Sequence, residues 1–313
     1  MVNFRFHLIS LVAVFLSLAI GVSLGSGFVG EAATGRLKED IESVRKQNGI
    51  VRDENLELKA RLEDAESFAL AVRSWMIEGA LQGENVVFVR FDHTDSALTD
   101  AAAGAVEEAD GTIASTLTVT DKLALGSGEE VQELANIVGI TSSDPAEVRI
   151  EMAGRLGLFM SQTGGQLEPS SDTGPASRLT SLAETLQEAG YLTVELNESQ
   201  DIVPSNAMFL ILGGGSGRPG FNAWRFAIEM SSGLVEEGAA VAVAERSSSG
   251  WNLVQRVRED DRISGSVVTV DHAETTTSQI ALVLGLARAG QGITGHYGSD
   301  EGASAPLPEA FLD

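Results

Sequence analysis

The chain has 313 residues and a mass of 32.9 kDa, room for one or two domains with a sizeable core. Lys and Arg number 21 against 45 Asp and Glu, a net charge of −24, which argues against a nucleic-acid partner because phosphate binding needs clustered cations. There is no cysteine, which excludes disulfides, cysteine-ligated zinc or copper, thiol catalysis and lipid attachment through a thiol, while leaving the compartment open.

Leu8 to Phe28 is an uncharged run of 21 residues, LISLVAVFLSLAIGVSLGSGF. About 20 apolar residues cross a bilayer core. The run exceeds a signal-peptide core of about 7–15 residues, so residues 1–30 read as a cytoplasmic stub and an uncleaved transmembrane anchor. The small Ser23, Gly25 and Gly27 keep cleavage as the alternative. The expected topology is a single pass in the cytoplasmic membrane, N-terminus inside and bulk extracytoplasmic, although Arg36 and Lys38 soon after the span make the charge bias modest. Gly21 and Gly25 form a GxxxG pair that lets helix backbones approach, or they simply end the span.

Residues 36–78 carry a heptad pattern. Ile41, Asn48, Asn55, Leu62, Ala69 and Met76 fall on a, and Leu37, Val44, Val51, Leu58, Ala65 and Val72 on d. In a parallel dimer each g residue faces the e residue five positions on in the other strand. The pairs Asp40–Arg45, Glu54–Lys59 and Arg61–Glu66 are opposite in charge, and Gln47–Arg52 is neutral. Asn48 and Asn55 weaken the seam but favour two parallel strands in one register. The expectation is a long parallel coiled coil, roughly 60 Å over 40 residues, that lifts the next domain off the membrane. It forms a homodimer, or a hetero-coil with another envelope protein. A single amphipathic helix packed on its own domain is the competing reading.

Residues 79–313 hold 12 basic and 34 acidic residues, so the excess charge belongs to the distal part. Candidate strands are Val86–Phe91, Thr112–Val119, Leu192–Leu196, Met208–Leu212, Ala239–Ala244 and Ser266–Val270. Several are continuous apolar runs, as strands buried on both faces require. Helical stretches alternate with them. Asp144-Pro145 reads as an N-cap and a first helical residue, and Gly190 and Gly290 stop the helices 177–189 and 277–289. The pattern predicts an α/β fold over 84–297, a doubly wound, Rossmann-like, mostly parallel sheet. Residues 162–176 read as a polar loop, and 298–313 as a disordered acidic tail.

Gly213, Gly215, Gly217 and Gly220 lie in GGGSGRPG after a strand and before a helix, the setting of a phosphate-cradling turn, with Glu245 ending the next strand where a ribose-binding acid would sit. This is the fourth strand rather than the first, and Pro219 removes an amide, so a plain Gly-rich loop competes. Asp92, His93 and Asp95 follow the first strand, and Asp271, His272 and Glu274 follow the last. In a parallel sheet both sets lie on the carboxyl edge, where imidazole and carboxylates suit a divalent metal. The alternative is loop polarity with helix capping by Asp95 and by Thr275 or Thr276. Neither a Met nor a His cluster of copper-site spacing occurs, and no hydrolase or P-loop motif, so no cofactor and no enzyme activity is indicated.

The N-terminal run from Phe6 to Gly27, FHLISLVAVFLSLAIGVSLGSG, resembles the start of the actinobacterial MctB family, the mycobacterial copper transport protein B family. The likeness continues through the coiled coil, the α/β region with its Gly-rich turn, and the closing Gly295-His296-Tyr297-Gly298. It implies a role in copper export or copper homeostasis in the cell envelope, with copper itself possible on this ground alone. It also implies an alternative as a non-enzymatic scaffold for envelope assembly or cell division, like the corynebacterial SteB with its partner SteA. One apolar span cannot line a channel by itself, and the residues suggest a tethered, dimerising envelope protein.

Overall fold

The computed structural model describes residues 4–164, 175–197, 201–247 and 249–309. The chain forms two compact units, Met1–Ala65 and Glu66–Asp313.

The first unit is the greater part of one helix, α1 (Phe4–Ile77). No proline interrupts it, and Leu, Glu, Lys, Arg and Ala dominate its middle, all strong helix formers. Phe4–Gly25 is 22 residues long and reaches a mean hydropathy of 2.4 in an 18-residue window, about 33 Å of helix against a hydrocarbon core near 30 Å. Along 37–62 the apolar a and d residues Leu37, Ile41, Val44, Val51, Leu58 and Leu62 are all exposed, from 43% at Ile41 to 69% at Leu62.

In the second unit the last turns of α1 dock on the domain. The Glu66 carboxylate accepts the Thr276 amide at 3.0 Å, and Arg73 pairs with Glu108 and donates to Gln279 at 2.7 Å. Ala69 and Ile77 are buried, and Met76 packs against the sheet core. The two distal a positions of the predicted coil, Ala69 and Met76, are therefore used inside the same chain.

The sheet has seven strands in the order β3-β2-β1-β4-β5-β6-β7. These are β1 (Asn85–Phe91), β2 (Thr112–Val119), β3 (Leu192–Leu196), β4 (Ala207–Gly213), β5 (Val241–Glu245), β6 (Val268–Val270) and β7 (His296–Tyr297). All neighbours pair parallel except β2 with β3. The helices are α2 (Ser96–Glu108), α3 (Gly128–Val138), α4 (Pro145–Gly164), α5 (Pro175–Glu188), α6 (Ala223–Val235), α7 (Leu253–Glu259) and α8 (Thr276–Ala289). Alternate strand residues feed two cores. Val87, Val89, Phe91, Phe209 and Ile211 pack under α3 to α7. Val86, Phe88, Leu210, Leu212 and Val268 pack under α2, α8 and the end of α1. All seven residues of β4 are buried, which explains its unbroken apolar run.

The six expected strands are present with shifts of one or two residues at their ends. The Asp144 side chain accepts the Ala146 amide at 2.8 Å, as the N-cap reading requires. Three features differ from expectation. The edge strand β3 runs antiparallel, joined to β2 through three helices rather than one crossover. A seventh strand of two residues, β7, pairs beside β6, too short to show a sequence pattern. Residues 298–309, expected as a disordered tail, fold back: Tyr297 bridges Ala305, the Gly298 amide donates to Ala305 at 3.0 Å, and Leu307 packs on the core. Residues 310–313 and most of the expected loop at 162–176 lie outside the described residues.

Candidate metal centre at the carboxyl edge of the sheet

The parallel strands end along one edge, where the connecting loops gather the polar residues. Between β1 and β6 stand β4 and β5. At about 4.8 Å per strand the two acidic loops are roughly 14 Å apart along the sheet. Asp92, His93 and Asp95 therefore form one group, and Asp271, His272 and Glu274 another.

The first group serves the fold. Asp92 accepts the Asp121 amide at 2.9 Å, and His93 Nε2 lies 2.6 Å from Asp121 Oδ2. Asp95 caps α2 by accepting the Ala97 amide at 2.9 Å and pairs with Arg246 at 3.0 Å. The β1–β4 border is the switch point where ligands enter doubly wound sheets. Here the chain itself fills it. A Cβ on Gly215 would overlap the His93 carbonyl, and one on Gly217 would press on the imidazole at 2.6 Å. The Gly-rich loop thus uses its missing side chains to close against the β1 loop. The Gly217 carbonyl is further held by Trp251 Nε1 at 2.8 Å. Glu245 is buried, which pushes its carboxyl pKa up, while Ser249 and the Val254 amide (2.9 Å) donate to it. It caps the start of α7 instead of facing a ribose.

The second group is closer to a site. His272 leaves the strand in the left-handed region at φ 49°, and its carbonyl accepts the Thr275 amide at 2.9 Å, so the chain turns at once. Its Nδ1 lies 2.8 Å from the Ser299 hydroxyl and its Nε2 3.4 Å from Asp300 Oδ1. Asp271, His272 and Asp300 each offer a ligand atom, all within 4.8 Å of one another. Asp271 is nearly spent. Arg258 approaches it at 2.9 Å with both side chains 4% exposed, and the amides of Ser299 (2.8 Å) and Asp300 (3.2 Å) donate to it. Only glycine fits at 298, because a Cβ there would overlap the Asp271 carboxylate. Glu274 is not part of the cluster. It takes the amide and hydroxyl of Ser247, and those bonds hold its carboxyl low against the burial that would raise it. Thr275 caps α8, accepting the Ser278 amide, whereas Thr276 serves Glu66.

The open donors are His272 and the 60%-exposed Asp300, beside a cleft of about 440 Å³ lined by Asn252, Gln255 and Arg258. An imidazole with carboxylate oxygens suits a divalent ion of the Cu(II) or Zn(II) kind, whereas Cu(I) prefers sulfur. Arg258 subtracts charge from the set. Asp300, Ser299 and Arg258 were not legible as site residues, since the first two stand in a stretch that reads as a tail. The closing GHYG was the one local signal, and it places β7 and the Gly298 turn.

The family model for the copper transport outer membrane protein MctB matches residues 1–308, from the apolar N-terminal helix through β7 and its turn. The chain belongs to the MctB family. Proteins named Copper transporter MctB from Mycobacterium bovis, Mycobacterium tuberculosis and Mycobacterium leprae are each 27% identical to it, over 97% of this chain and 98% of their own lengths. The likeness of the N-terminal run and of GHYG to this family is thus shown over the whole length. The matched span includes Asp271, His272, Ser299 and Asp300 of this MctB-family chain.

Proposed function

We propose that this protein is a single-span, self-associating component of copper export or copper homeostasis in the cell envelope, with its acidic domain outside the cytoplasmic membrane. The observation that carries the reading is the match of 1–308 to a copper-transport family, joined to one apolar helix of membrane length. Copper is cargo here. His272 and Asp300, with Asp271 behind them, are the donors proposed to meet it as Cu(II). The test is a strain lacking the gene, grown across a copper series and complemented with the wild-type chain or with His272→Ala/Asp300→Asn. Raised cell copper and copper sensitivity, restored by the wild type and not by the variant, are expected. Unchanged copper content and tolerance on deletion would refute the role.

A second reading, a non-enzymatic scaffold for envelope assembly or division, rests on the exposed apolar stripe of α1. The coil then pairs with a second copy or with a SteA-like partner. It predicts that glutamate at Leu58 and Leu62 delocalises the protein and disturbs cell shape at ordinary copper. Normal localisation and shape in that variant would remove its basis.

A further inference from the structure

From Glu66 onward the helix changes which of its rows it buries. The a and e positions turn to the domain: Glu66 to Thr276, Ala69 into the core, Arg73 to Glu108 and Gln279, Met76 against the sheet. The d and g positions do not. Phe68 is 69% exposed and Trp75 78%, with Val72 between them only half-buried. Spacings of 3, 4 and 7 residues put these three on one helix face. The g row is polar or charged along the coil, Asp40, Gln47, Glu54 and Arg61, and becomes aromatic only where the a row is withdrawn into the domain.

We propose that Phe68, Val72 and Trp75 are the distal end of the self-association interface, covered by the same face of a second copy. The inference rests on the parallel-coil reading and deepens it. A second copy is the occupant because the g and e charges left free of the domain, Asp40 with Arg45 and Glu54 with Lys59, are opposite when two identical helices pair parallel in this register, Glu66 being spent on Thr276. The d/g face also continues the seam's own d row past the point where the a row leaves it. In a parallel pair d faces d, so Val72 meets its counterpart, and the g aromatics close over it from both sides. Phe and Trp bury roughly 150–250 Å² each, so two copies add on the order of 600–1,000 Å² beyond the seam. All three side chains are exposed or half-exposed in the single chain, so their replacement is expected to leave the domain folded.

The chain lacks cysteine, which makes single-cysteine cross-linking clean. Leu58→Cys, Val72→Cys and Leu70→Cys, each in the full-length chain in detergent micelles, are treated with a short bismaleimide. Leu70 is apolar and 59% exposed but sits on the b row, away from the seam. Dimer is expected from Leu58→Cys and Val72→Cys and not from Leu70→Cys. Adding Phe68→Ser and Trp75→Ser to Leu58→Cys is expected to weaken dimerisation by about tenfold. If Leu58→Cys cross-links while Val72→Cys behaves like Leu70→Cys, this inference falls and the coil stands. If neither cross-links, the coil reading falls and this inference with it. Full dimerisation of the double serine variant also overturns it, and so does protection of Trp75 by the micelle rather than by a second chain.

Discussion

At the scale of residues, the domain's polar centre is the buried Arg258–Asp271 pair, which also holds the turn at Ser299 and Asp300. Removing one member of a buried, hydrogen-bonded pair leaves the other charge stranded, at a cost of about 3–5 kcal/mol. Asp271→Ala is therefore expected to lower unfolding stability by that amount in a denaturant titration, and a loss under 1 kcal/mol would show that the pair is dispensable. His296 makes a second case. Burial, and then the nearby Arg258 charge, hold its pKa below the usual histidine value, and its Nδ1 meets the Thr269 hydroxyl at 2.9 Å. The folded state thus disfavours a proton that the unfolded chain takes up. Its contribution is present above the unfolded value near 6.5 and is lost as pH falls through the lower folded value. A melting series from pH 7.5 to 5 should show a decline that His296→Gln flattens; parallel curves for the two proteins would contradict it. The candidate metal donors were half legible at this scale. A strand end followed by Asp-His marks a carboxyl-edge loop, but Asp300 reaches His272 only because a turn 28 residues away folds over it.

At the scale of elements, α1 does two jobs along one length. Its heptad stripe is exposed and is proposed to meet another helix, whereas its final turns pack on α2 and α8. Glutamate at Leu58 and Leu62 places two like charges per chain in the proposed seam without touching a domain contact. Light scattering of the full-length variant in micelles should therefore show a monomer, while its melting temperature stays within a degree or two of the wild type. A variant that remains dimeric would mean that the stripe is not the seam. The heptad spacing was readable from the sequence because it repeats. Its distal boundary was not, because Ala69 and Met76 are equally good partners for a coil or for a sheet.

At the scale of the whole domain, strand order decides chemistry. With β4 and β5 standing between β1 and β6, two similar Asp-His loops fall into two separate groups, and the Gly-rich turn finds its switch point already filled by His93. The C-terminal segment is structural at this scale. It supplies β7, the bridge from Tyr297 to Ala305 and the amides on Asp271. Ending the chain after Gly298 should lower the melting temperature clearly and speed amide exchange in β6, whereas unchanged exchange would show the segment to be passive.

The sequence by itself determined the apolar N-terminal helix, its continuation, six of the seven strands and the family. Each of these depends on residues near one another in the chain: an apolar run, a heptad, a buried strand, a terminal GHYG. Tertiary structure alone decided the antiparallel edge strand, the docking of Glu66, Arg73 and Ile77, the separation of the two loops and the joining of Asp300 to His272. Those depend on which strand lies beside which, a choice made by the packing of two cores on opposite faces of the sheet, and no local pattern carries it.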